Sequence, residues 1–248
     1  MMEKRVVVVT GAGQGIGLAI VKMFANRGDL VYALDINKVK LYEAVERLRK
    51  DQLEVRAIPC DIRSEEDIQI AVSQIKRETL QIDILINNAG VSKMKSLFEL
   101  SLDEWNDVLH TNLTSVFLMS KAVAACMKET QTGGSIINIA STRAAMSEPN
   151  SEAYAASKGG VVSITHALAA SLQNERITVN AISPGWIYFG KENDLREIDH
   201  DQHFSKRVGV GEDIASACLF LTNPDNSFIN GENISIDGGM TKKMIYEH

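Results

Sequence analysis

Cysteine is scarce in this chain. Its 248 residues contain three, Cys60, Cys126 and Cys218, far apart and odd in number. No disulfide framework is expected, and the three read as reduced, mostly buried thiols of a cytoplasmic protein. Long apolar runs are missing as well, and none approaches the roughly 18 residues of a membrane span. The opening segment sets basic residues before Val6–Val9, but that short run leads straight into glycines, so no signal peptide is expected. The formal net charge is -6, with no basic tail or cluster, which argues against a nucleic-acid partner. No Pro/Gly/Ser-rich linker, repeat or low-complexity tract divides the chain. At 45% hydrophobic and 23% charged residues, it reads as one soluble globular domain over residues 1–248.

Short apolar runs alternate with helical periodicities. Val6–Val9 is β-branched throughout, as expected of a strand buried on both faces. Further strands are predicted at Val31–Leu34, Val55–Ile58, Ile84–Ile86, Ser135–Ile139, Thr178–Ile182 and Ile234–Ile236. Between them fall helical patterns such as Ile16, Ile20, Val21, Phe24 and Leu41, Ala44, Val45, Leu48. Ser64-Glu-Glu-Asp67 and Ser101-Leu-Asp-Glu104 look like helix-opening capping boxes, the second starting a long helix toward Lys128. This rhythm predicts an α/β, doubly wound parallel sheet with helices on both faces. Such a sheet binds ligands at the carboxyl ends of its strands.

Thr10-Gly-Ala-Gly-Gln-Gly-Ile-Gly17 follows the first strand and opens the first helix. Glycine there allows a sharp turn and close approach to a diphosphate, and the helix N-terminus offers free N–H groups. The spacing of Gly11, Gly15 and Gly17 departs from the Gly-x-Gly-x-x-Gly fingerprint, and no Gly-Lys-Ser/Thr follows. Asp35 ends the second strand about 20 residues on. A carboxylate there accepts from an adenosine ribose and repels a 2′-phosphate, and neither Gln14 nor Ile36 adds a basic group to offset it. The expected dinucleotide is NAD rather than NADP. The alternative role for Asp35 is to cap a turn.

Tyr154 and Lys158 lie four apart in an Ala-rich segment, on one face of a helix. A fixed ammonium beside a phenol favours the phenolate and pulls its pKa toward the working range. Ser141, at the end of the fifth strand, can bring a hydroxyl to the same point.

With Thr10–Gly17, Asn87-Asn-Ala-Gly90, Ser141, Tyr154-x-x-x-Lys158 and Pro184-Gly185 in this order, the chain resembles the short-chain dehydrogenase/reductase family over its full length. The resemblance implies a single Rossmann-type domain with a seven-stranded parallel sheet, assembled as a homotetramer. It implies Asn112, Ser141, Tyr154 and Lys158 as catalytic residues, with Asn112 holding a water that relays the proton. Cofactor contacts are implied at Gly11, Gln14, Gly15, Ile16, Gly17 and Asp35. Asp61 would contact the adenine, with Ile62 beside it. Asn88, Ala89 and Gly90 would shape the channel, with Tyr154 and Lys158 also holding the cofactor. Pro184, Gly185 and Ile187 would line the nicotinamide side. Asn87 and Asn88 also suit ordinary turns. The implied activity is reversible hydride transfer between NAD and a secondary alcohol or ketone. Tyr154 would move the proton, and Ser141 would steady the developing alkoxide.

The segment 186–207 is expected to cover the substrate. Tyr188 and Phe189 stand where many relatives carry a Thr. Arg143 lies two past Ser141. It is either a cation for the substrate or a partner for Glu148 or Glu152. Trp186 is a candidate for stacking on the substrate or for packing. Asp199-His-Asp-Gln-His203 invites a metal reading, but close His/Asp spacing on a loop is more often a solvated face. No metal is expected; a substrate-contacting or loop-anchoring role is, with His200 the substrate-contacting candidate. The polar segment favours a small polar alcohol such as a sugar, polyol or hydroxy acid. Alternatives are a 3-oxoacyl thioester reductase, a hydroxysteroid dehydrogenase and a non-catalytic NAD-binding sensor.

Overall fold

A computed structural model describes residues 4–244; the first three and last four residues of the expected domain lie outside it. Seven strands form one parallel sheet: β1 (Val6–Thr10), β2 (Leu30–Asp35), β3 (Val55–Pro59), β4 (Ile84–Asn87), β5 (Gly134–Ile139), β6 (Ile177–Pro184) and β7 (Asn233–Ile236). Their spatial order is β3-β2-β1-β4-β5-β6-β7. The winding reverses between β1 and β4, and a crevice opens at the carboxyl ends there. All seven strands coincide with apolar runs read from the sequence.

Alternation along β1 divides the core into two layers. Val6 and Val8 pack with Ile68, Ala71 and Ile75 of α3 (Glu65–Thr79) and Met119 and Val123 of α5 (Ser115–Thr130). Val7 and Val9 pack on the other face with Ile20 and Phe24 of α1 (Gly15–Asn26) and Leu41 and Val45 of α2 (Lys38–Lys50). Ile214 and Cys218 of α8 (Gly211–Leu221) complete that layer. A strand covered on both faces must be apolar at every position, so β1 reads as four valines.

Two expected helix starts differ. Ser101 opens α4 (Leu102–Leu109) with a complete capping box, its hydroxyl accepting from Glu104 N and Glu104 accepting from Ser101 N. Ser64 caps α3 by accepting from Asp67 N, but Asp67 turns its carboxylate to Asp61 N instead of closing the box. The single long helix expected toward Lys128 is α4 and α5 joined by one π-helical turn, His110–Thr114. Ser115 N reaches back to the His110 carbonyl across this wider turn. Such turns concentrate at functional sites, and this one carries Asn112. The remaining helices are α6 (Glu152–Leu172) and the short α7 (Glu197–Asp201).

Candidate active site

The glycine loop crosses the end of β1 at the topological reversal. Gly11 and Gly15 stand at φ +62° and +60°, the left-handed region that favours glycine. A Cβ at Gly17 would run into the Gly11 carbonyl, so the first turn of α1 can lie against the loop only without a side chain. Thr10 binds this loop to the end of β4. Its hydroxyl accepts from Asn88 N at 3.0 Å and Ala89 N at 3.1 Å, while Asn88 Nδ2 donates to the Thr10 and Gly11 carbonyls. Helix α1 has no side-chain cap and no acidic residue in its first turn, which leaves its positive end to an anion. Ile16 packs its side chain toward the core. The loop therefore fits a dinucleotide diphosphate.

Asp35 takes the turn-capping role weighed for it. One oxygen accepts from Gly13 N at 2.9 Å and the other from Asn37 N at 2.8 Å, so the carboxylate caps the turn while standing at the strand end. Gln14 adds no charge of its own, but Lys40, which the sequence reading did not consider, donates to its Oε1 at 2.6 Å and brings a cation beside the loop. Asp61 is gripped by Arg63, which holds its pKa below the ordinary value. Ile62, beside Asp61, buries its side chain in the core with Leu34 and Ile68.

Helix α6 presents Tyr154 and Lys158 one turn apart. Lys158 is only 4% exposed. Its Nζ donates to the Ile139 carbonyl at 2.7 Å and sits 5.7 Å from the centre of the Tyr154 ring. Burial lowers its pKa to about 8. Burial also raises the Tyr154 pKa, and it outweighs the downward pulls of the nearby Ser141 hydroxyl and the Arg143 charge. In this arrangement Ser141 and Arg143 supply the downward pulls on the phenol, and Lys158 is tied to the backbone of β5.

Asn112 is buried. Its Oδ1 accepts from Val91 N at 2.8 Å, and its Nδ2 donates to the Val91 carbonyl and to Ser157 Oγ at 3.0 Å. Both amide hydrogens are spent, so the side chain pegs the loop after β4. A Cβ at Gly90 would lie 3.3 Å from Asn112 Oδ1 and 3.5 Å from Lys158 Nζ, which places this loop against the catalytic helix.

Ser141 and Tyr154 open into a cavity of about 620 Å³ whose walls include Arg143, Glu148, Trp186, Gly185 and Ile187. Arg143 lines the cavity and pairs with Glu148, the partner role weighed for it. Pro184 ends β6 as expected, and the Gly185 amide donates to the Ile236 carbonyl at 3.0 Å. His200 takes the loop-anchoring role weighed for it: its Nδ1 accepts from Val208 N at 3.3 Å, while Gln202 lines the cavity. Asp199 pairs with Arg196, and among the described residues no group of three His, Cys, Asp or Glu is placed to hold a metal ion. Phe189 lies over Gly15 and the start of α8.

Several site residues escaped the sequence reading. The Ile139 carbonyl carries no side-chain signal. Ser157 precedes Lys158, and only the tertiary contact with Asn112 gives it a role. Gln202 and Met240 reach the cavity from distant segments.

A glycine loop at a sheet reversal, with a Ser–Tyr–Lys group at the neighbouring strand end, defines a nucleotide-dependent oxidoreductase site. A family model described as enoyl-(acyl carrier protein) reductase matches residues 11–241, and the chain belongs to the short-chain dehydrogenase/reductase family. It is 45% identical to an uncharacterized oxidoreductase of Thermotoga maritima, across the whole of both chains. It is 33% identical to a 3-oxoacyl-[acyl-carrier-protein] reductase of Vibrio harveyi, covering 96% of this chain and 98% of that one. Identity is 34% to a D-threitol dehydrogenase of Mycolicibacterium smegmatis, covering 98% and 95%. The crystal structure of a putative gluconate dehydrogenase from Agrobacterium tumefaciens superposes with a TM-score of 0.90, at 28% identity and 97% coverage of each chain. The family acts on alcohol or keto groups with a nicotinamide cofactor.

Proposed function

We propose that this chain catalyses reversible hydride transfer between NAD and a secondary alcohol or ketone of a small polar substrate. The observation that carries the reading is the Tyr154 phenol, with Ser141 beside it, at the wall of a cavity that also holds Arg143 and Glu148. The nicotinamide, when bound, supplies the hydride chemistry. Tyr154 takes the proton from the substrate hydroxyl in oxidation and returns it in reduction. Ser141 donates a hydrogen bond to the substrate oxygen as negative charge develops there. Lys158 fixes α6 against β5, and as a cation it can hold the cofactor ribose and stabilise the phenolate. Asn112 keeps the loop 88–91 in place beside them. The NAD preference rests on Asp35, and the homotetramer implied by the family resemblance belongs to the same reading.

A second reading is supported by Met94, Met146, Trp186 and Met240, which give the cavity an apolar side. That side suits a 3-oxoacyl thioester, and Lys40 beside Gln14 suits the 2′-phosphate of NADPH. One screen separates the two. Sugars, polyols, hydroxy acids, hydroxysteroids and 3-oxoacyl thioesters are assayed with NAD(H) and NADP(H). NAD-linked oxidation of a polar alcohol is expected; NADPH-linked reduction of a thioester alone would overturn the first reading. Sedimentation at four chain masses is expected for the tetramer.

A further inference from the structure

We propose that Arg143 and Glu148 together select a neutral polyhydroxy substrate, and that Glu148 disfavours its carboxylate-bearing counterpart. This rests on the hydride-transfer reading above and names the substrate class for the same cavity. Arg143 is placed by the reactive centre itself: its backbone N–H donates to Ser141 Oγ at 3.2 Å. Its guanidinium lies against the Glu148 carboxylate, with side-chain exposures of 31% and 50%. That contact is one of charge more than of direction, because the buried Nη1 has no acceptor in hydrogen-bonding alignment. A donor and an acceptor are thus held side by side, with capacity remaining for a ligand.

Among the cavity's described walls these two are the charged residues, and Ser92, Thr142, Ser147 and Gln202 add neutral polar groups. The wall therefore carries no net charge. A substrate carboxylate drawn to Arg143 would come within a few ångströms of Glu148. The repulsion would offset the attraction and leave the desolvation of the anion uncompensated. Adjacent hydroxyls meet no such conflict. One accepts from the guanidinium while the next donates to the carboxylate, so both protein charges gain charge-assisted hydrogen bonds.

The test compares a polyol of four to six carbons with the aldonate of matching stereochemistry. Initial rates are measured with NAD and with NADP for wild type, Glu148→Gln and Arg143→Met. Glu148 is half exposed, so the glutamine variant is expected to fold; melting curves check this. Wild type is expected to favour the polyol by about tenfold or more in kcat/KM, Glu148→Gln to narrow that ratio to about threefold or less, and Arg143→Met to raise the polyol KM about tenfold. A wild-type preference for the aldonate, or a ratio unmoved by Glu148→Gln, overturns the proposal. Calorimetric binding of the same two compounds keeps the two readings distinguishable. Oxidation of some other alcohol with no polyol binding sinks the proposal and leaves hydride transfer standing. Polyol binding with the Glu148-dependent preference, but no oxidation with either cofactor, supports the selection and refutes the reaction.

Discussion

Lys158 donates its ammonium to the Ile139 carbonyl at 2.7 Å, tying the middle of the site helix to the end of β5. A lysine with 4% exposure carries a desolvation cost that one carbonyl only partly offsets. Its pKa accordingly falls from 10.5 to about 8. In the unfolded chain the amine returns to its ordinary value. Between about pH 8 and 10.5 the unfolded state therefore binds more protons, and stability rises with pH over that window. Below it, the cost of the buried charge is fully present. Replacing Lys158 with Met is expected to stabilise the fold at pH 7 by up to ~3 kcal/mol, at about 1.4 kcal/mol per pKa unit. That advantage should shrink as pH rises toward 10. Denaturant melts of both proteins at pH 7, 8.5 and 9.5 check it, and an advantage that grows with pH would refute it.

Tyr154 carries the proton in the proposed reaction. The Tyr154→Phe variant is expected to lose about 10²-fold or more in kcat, the range typical of general acid–base groups, while NAD still binds. Cofactor fluorescence titration and steady-state rates measure the two separately. Near-normal turnover would remove Tyr154 from the mechanism.

Asp35 holds two backbone N–H groups, from Gly13 and Asn37. Asp35→Ala should lower stability by roughly 1–2 kcal/mol through these lost caps. It should also weaken NAD and narrow the gap to NADP, because the carboxylate that repels a 2′-phosphate is gone. Melting curves and dissociation constants for both cofactors are the readouts. A loss of stability with the NAD/NADP ratio unchanged would assign Asp35 to the turn alone.

Asn112 satisfies both the N–H and the carbonyl of Val91. Removing its amide with Asn112→Ala should cost roughly 1–3 kcal/mol, since the Val91 N–H and carbonyl both lose their partner. Activity should fall as well, because the loop 88–91 borders Lys158. Asn112→Asp keeps an acceptor for the N–H and should retain more stability than the alanine variant. Equal stability for the two would show that the Val91 N–H does not depend on Asn112.

Gly17 tests the glycine loop itself. A Cβ there meets the Gly11 carbonyl. Gly17→Ala should destabilise the fold by about 1–3 kcal/mol, as overpacking does, and weaken cofactor binding. A variant that melts like wild type and binds NAD equally would show that the loop has room to yield.

Much of this molecule is legible in its residues alone. Val6–Val9 announces a strand buried on both faces, because a polar side chain on either side would lose its water. Gly11, Gly15 and Gly17 announce a turn that side chains would block, and Tyr154 and Lys158 share a face because a helix repeats every 3.6 residues. Those inferences need only local geometry. Other features depend on segments distant in sequence, brought together by the order β3-β2-β1-β4-β5-β6-β7. The Ile139 carbonyl beneath Lys158, the Val91 backbone around Asn112, Lys40 at Gln14 and Gln202 in place of His200 belong to that group. So does the π turn at His110–Thr114, which the helical periodicity does not reveal. Local sequence settled which chemistry this chain carries, since strand, turn and helix geometry follow from neighbouring residues. Tertiary structure alone decided which partner each polar group meets, because hydrogen bonds and charge pairs act over a few ångströms and only the packed sheet sets those distances.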